Sequence, residues 1–120
     1  MTDRALLEMA AKAAGYTLTW GEEYIVDGEL IDCTDIPYVV SGQPDEANWY
    51  WDPLTDDGDA LRLAVKLHIA PVFDPRYSMV HADPIGKPLQ AVSVDYGTDP
   101  YAATRRAIVR TAAEIGKAMQ

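Results

Sequence analysis

The run from Thr98 to Ile115 constrains the fold most. Thr98 and Asp99 are N-cap residues, Pro100 occupies the first helical position where proline is tolerated, and no Gly or Pro follows until Gly116. A long closing helix is therefore predicted. Tyr101, Ile108, Ala112, Ile115 and Met119 form its expected core stripe, and alanines at 102, 103, 107, 113 and 118 allow close approach to a sheet. Arg106, Arg110 and Lys117 lie on another stripe, read as a solvated face with Glu114 pairing to Arg110.

The other elements follow from periodicity and punctuation. Leu6, Met9, Ala10 and Ala13 recur at helical spacing and Gly15 stands at the C′ position, so a first helix spans residues 3–14. Residues 16–20 alternate as a half-buried strand. Residues 22–32 place Asp27-Gly28 between Tyr24-Ile25-Val26 and Leu30-Ile31, a strong hairpin signal. Residues 34–44, with Pro37, Gly42 and Pro44, read as loop. A second helix begins near Thr55 or Asp57, its expected caps, and runs through Leu67. Residues 69–73 and 77–81 form antiparallel strands about Asp74-Pro75-Arg76, residues 83–88 a loop, and residues 89–95 a strand with both faces partly covered. This order and its short links predict an α+β domain over residues 1–120, a mainly antiparallel sheet of four to six strands between helices in α/β/α layers.

Charge narrows the function. The chain carries 10 Lys and Arg against 19 Asp and Glu, a net of −9, which disfavours phosphate backbones and anionic lipid as partners. Its distribution is uneven: residues 13–61 hold no Lys or Arg but twelve of the acids. One reading is a solvated acidic surface, partly facing the basic stripe of the last helix. The other is an acidic face that docks on a basic protein. The lone Cys33 builds neither an intrachain disulfide nor a zinc site, and suits a reducing cytoplasm. Glu8 and Lys12 interrupt the N-terminal apolar residues, so no signal peptide is read, and no window is apolar enough for a membrane span.

No catalytic motif stands out. HExxH, GxSxG, GxGxxG and P-loop patterns do not occur. Asp56-Asp57-Gly58-Asp59 fails as a calcium loop: counting from Gly58 puts Pro53 and Thr55 at two acid positions, and Ala64 where the bidentate glutamate belongs. No metal and no cofactor are expected. His68 and His81 are the possible general bases and read better as structural histidines; a small enzyme or ligand binder using them beside Trp49 and Trp51 is the alternative. The Trp49-Tyr50-Trp51 cluster itself reads either as a plug before the second helix or as a ligand platform.

Two segments carry a resemblance. Residues 49–63, Trp-Tyr-Trp-Asp-Pro-Leu-Thr-Asp-Asp-Gly-Asp-Ala-Leu-Arg-Leu, resemble the aromatic-x-Pro to Asp-Ala block of the phage ABA sandwich domain family; residues 98–110 resemble its closing helix, and residues 7–15 its opening one. The resemblance implies a sheet packed between helices and a phage or prophage accessory protein in the bacterial host cytoplasm, without catalytic residues to carry over. Together with the charge, the expectation is a non-enzymatic protein that binds a host or phage protein, possible targets being host nucleic-acid-handling or defence proteins. Asp52, Asp56, Asp57, Asp59, Trp49 and Trp51 are the candidate partner-binding residues; direct nucleic-acid and membrane contacts are not expected, and a homo-oligomer is a further possibility.

Overall fold

A computed structural model describes residues 1–119. Helix α1 (Asp3–Ala14) starts where the Thr2 hydroxyl accepts the Ala5 N–H, and stops at Gly15, whose φ of 79° only glycine adopts without cost. Strands β1 (Leu18–Trp20), β2 (Glu23–Val26), β3 (Glu29–Asp32), β4 (Pro37–Val39) and β5 (Trp49–Tyr50) follow, then α2 (Asp57–Leu67), β6 (Ile69–Asp74), β7 (Met79–Pro84), β8 (Val92–Asp95) and α3 (Pro100–Ala118). Asp99 caps α3 by accepting the Tyr101 and Ala102 N–H groups, with Pro100 in the first turn as expected. The cap of α2 is Asp56 rather than Thr55 or Asp57, because its carboxylate is the one within reach of the Asp59 N–H.

The fold is α+β and every strand pairing is antiparallel. The strands do not form one sheet of four to six, however. They divide into β1-β4-β5, the hairpin β2-β3, and β6-β7-β8. Strand β4 lies inside the stretch expected to be loop; Pro37 is its first residue, where a missing N–H is tolerated, and Val39 is buried against the core. Likewise β7 runs on through Asp83 and Pro84, and the strand expected at residues 89–95 is confined to β8.

Helix α3 occupies the centre. It packs on α1, on α2 and on all three strands of the β6-β7-β8 sheet. Gly116 lets α3 approach α1 so closely that a Cβ there would strike the Met9 carbonyl, and the buried Thr111 hydroxyl lies 3.3 Å from the Ala82 carbonyl across the helix–sheet interface. Val80, Ala82 and Pro84 turn inward under α3, whereas Met79, His81 and Asp83 turn outward. All three helices also meet one another, and on the sheet face turned away from α3 Ser93 and Asp95 are exposed, which leaves that outer face uncovered there. Ile108, Ala112 and Ile115 are buried as read from the stripe, but Tyr101 and Met119, at the helix ends beyond the packed centre, are exposed. Among the described residues, no helix is long and apolar enough to cross a membrane.

Candidate functional site

The segment from Trp49 to Asp59 is assembled for structure. Trp51 is buried and meets Tyr16 edge to face at 5.6 Å; the half-exposed Trp49 meets the same ring at 6.0 Å, and Lys66 lies over it at 4.3 Å. With the fully buried Pro53, this is the plug before α2. Of the acids behind it, Asp59 alone is buried. Asp59 is 7% exposed; one carboxylate oxygen accepts Arg62 at 2.8 Å and the other the Asp52 N–H at 3.0 Å. Asp52 in turn accepts the Leu54 N–H at 3.1 Å, and Asp56 caps α2. Asp57 stands out in solvent but accepts Arg105 of α3 at 2.7 Å, while Arg105 also donates to the Leu54 carbonyl. Part of the acidic segment therefore faces the last helix.

These contacts show how each of the six candidate partner-binding residues is held within the chain. A buried carboxylate with both oxygens occupied, a capping carboxylate and a buried indole have little left to offer a second molecule. Of the six candidates, Trp49, Asp56 and Asp57 are exposed, Asp52 is half-buried, and Trp51 and Asp59 are buried. The basic stripe also pairs differently: Arg106 reaches Asp3 at 3.0 Å, and Glu114 takes Lys117 at 3.4 Å rather than Arg110.

The acidic, apolar feature that packs least on the rest of the chain, among the described residues, is the β2-β3 hairpin, hereafter the arm. Asp27 and Gly28 both have positive φ, 51° and 80°, the requirement of a tight two-residue turn that matches strand twist. Glu23 pairs with Asp32, Tyr24 with Ile31, Ile25 with Leu30 and Val26 with Glu29. On one face, then, Ile25 and Leu30 sit together at 72% and 63% exposure, beside two directly opposed carboxylates. Among the described residues the arm has no extensive packing on any other element. The radius of gyration, 15.8 Å, exceeds the about 13.6 Å of a compact chain of this length, and the molecule extends 52 Å along its longest axis.

The root of the arm is better fixed. The Cys33 N–H donates to the Glu22 carbonyl at 3.3 Å, and a Cβ on Gly21 would collide with the Cys33 carbonyl. Asp32 accepts the Thr34 hydroxyl at 2.6 Å and its N–H at 2.9 Å, which hold its carboxyl below the usual aspartate range. A hydrogen bond with Cys33, reinforced by that thiol's charge when ionised, pushes the Tyr24 phenol above its ordinary value.

No known protein family, curated protein or solved structure matches this chain. Function must therefore be argued from the chemistry on its surface.

The histidines stand apart from the tryptophans. His68 ends α2 in the left-handed conformation and is exposed, lining a hollow of about 370 Å³ that contains no tryptophan. His81 lies on the uncovered sheet face, its Nδ1 2.6 Å from Ser93 Oγ and its Nε2 4.0 Å from Asp74. Ile25 and Leu30 were overlooked as site residues in the sequence because their hairpin signal is equally that of an ordinary half-buried ribbon. The available clue was that apolar residues fill consecutive positions, 24 to 26 and 30 to 31, so neither face of the ribbon could be the polar one.

Proposed function

We propose that this chain is a non-enzymatic binding protein that engages a basic protein surface with its arm. The carrying observation is the exposed Ile25-Leu30 pair within residues 22–32, which include five carboxylates and no Lys or Arg. An isolated two-stranded ribbon is marginal in water, and a desolvated apolar centre ringed by charge is the usual design of a binding patch. The chemistry selects the partner's character. Glu23 opposite Asp32 is a repulsive cross-strand pair, relieved by a Lys or Arg set beside an apolar cleft that accepts Ile25 and Leu30.

The resemblance of residues 49–63 supports placing this activity among phage accessory proteins acting in the bacterial host cytoplasm. In that setting the carboxylates of the arm would occupy a surface that otherwise meets phosphate, as on a nucleic-acid-handling or defence protein. Capture from bacterial lysate by the wild-type chain and by an Ile25→Asp/Leu30→Asp variant, read by mass spectrometry, tests the reading. Basic proteins held by the wild type, released by the variant and weakened by salt are expected. An unchanged captured set in the variant sinks it.

A further inference from the structure

The partner chemistry that suits the arm, basic side chains beside an apolar recess, is also present on the chain itself. On α3, Arg106, Arg110 and Lys117 share one stripe and line a hollow of about 380 Å³ floored by Leu6 of α1 and Val92 of β8. Arg110 is exposed and has no ion-pair partner among the described residues, and Arg106, one turn away, is a like-charged neighbour that a further anion would relieve. Arg106 and Lys117 are answered by Asp3 and Glu114, but both pairs are half-exposed. Pairs in solvent contribute little and yield readily to another carboxylate.

We propose that this hollow receives the arm of a second copy, the two chains exchanging arms about a two-fold axis beside the first turn of α1; the exchange rests on the reading of the arm as the binding element. Three observations select that occupant. Charge is the first: residues 22–32 carry five carboxylates and no Lys or Arg, whereas the hollow sets three cations against Asp3 and Glu114. The opposed Glu23 and Asp32 of the arm and the adjacent Arg106 and Arg110 of α3 are each repulsive alone and relieve one another together. Length is the second: the arm from Glu22 to Asp27 extends about 17 Å at strand rise, and the row from Arg106 to Lys117 runs about 17 Å at helix rise. Position is the third: Arg4 donates to the Thr34 carbonyl at the arm's root at 3.5 Å, and its neighbour Asp3 takes Arg106. Root and row thus flank one helical turn, so a two-fold axis there carries each arm onto the other copy's hollow in a closed exchange. The net −9 of each copy does not prevent this, because exposed charges more than about 8 Å apart are largely screened at physiological ionic strength. Exchange hides both arms, and a basic partner must displace α3 before it is held.

Sedimentation equilibrium from about 1 μM to about 1 mM tests the proposal. The mass should rise from the 13.2 kDa of one chain toward twice that value. Arg110→Glu, at an exposed residue, should weaken association at least about tenfold with unchanged melting, and Glu23→Lys/Glu29→Lys on the arm should do the same. Equimolar mixing of the two variants should restore association, since a basic arm then meets an acidified hollow and an acidic arm a basic one. A monomer across the whole range, a dimer indifferent to Arg110→Glu, or a mixture no stronger than its components overturns the proposal. Arg110→Glu leaves the arm intact, so it should hold basic proteins from lysate at least as strongly as the wild type. Capture by a chain that never dimerises upholds the binding reading and overturns the exchange; rescue by mixing with no basic protein captured upholds the exchange and overturns an external partner.

Discussion

Gly116 of α3 rests against the Met9 carbonyl of α1, and nothing larger than a hydrogen fits between them. On an exposed helix, Gly→Ala stabilises by about 1 kcal/mol through propensity. Here the sign reverses. Gly116→Ala should lower stability by about 1–3 kcal/mol, since the helices must separate to admit the methyl group. Chemical denaturation reads the difference, and a stabilised variant would contradict the close approach.

Asp57 and Asp59 are two residues apart and should respond very differently to replacement by alanine. Asp57→Ala removes an exposed ion pair with Arg105 and should cost about 0.2–1 kcal/mol. Asp59→Ala strands the Asp52 N–H and frees Arg62, and should cost about 1–3 kcal/mol or more. Equal losses in the two melting curves would refute the inward orientation of Asp59.

The tryptophans separate in the same way. Trp51→Ala empties a buried site against Tyr16 and should cost about 3–5 kcal/mol, whereas Trp49→Ala should cost clearly less because nearly half of its surface is already in solvent. In a Trp20→Phe background, fluorescence of the two variants provides a second measurement: Trp49 should be quenched by iodide and Trp51 protected.

Asp32 gives a pH signature. Its folded carboxyl titrates below the ordinary aspartate range because it accepts two hydrogen bonds from Thr34, so the fastening of the arm's root is complete above that range and is lost as pH falls through the lowered folded value. Carboxyl NMR should place Asp32 below the other exposed aspartates. Thr34→Val, which removes the hydroxyl donor, should move it upward; no movement would contradict the assignment.

Sequence legibility followed the range of the interactions. Helix α1 with Gly15, helix α3 with Asp99 and Pro100, and the Asp27-Gly28 turn were readable because their determinants lie within a few residues of one another. Strand β4 was hidden by Pro37, whose missing N–H argues for loop until β1 and β5 are known to flank it. The burial of Asp59 was not legible because it depends on Arg62 and the Asp52 backbone converging on the carboxylate, and within an acidic run it resembles its solvated neighbours. The Arg105 to Asp57 pair spans too many residues for any local pattern to announce it. Tyr101 and Met119 fit the stripe of α3, but periodicity does not tell where a helix outruns the body beneath it. The arm was legible as a hairpin; its isolation from the rest of the chain was not.

The stretch without Lys or Arg runs from residue 13 to 61 and includes the whole arm. A protruding ribbon is ordinarily the first place a protease cuts, yet proteases whose specificity pocket demands a basic side chain find no cleavage point there. The arm is thus spared trypsin-like nicking by composition, and digestion with a glutamate- or aromatic-directed enzyme is the way to sever it from the body.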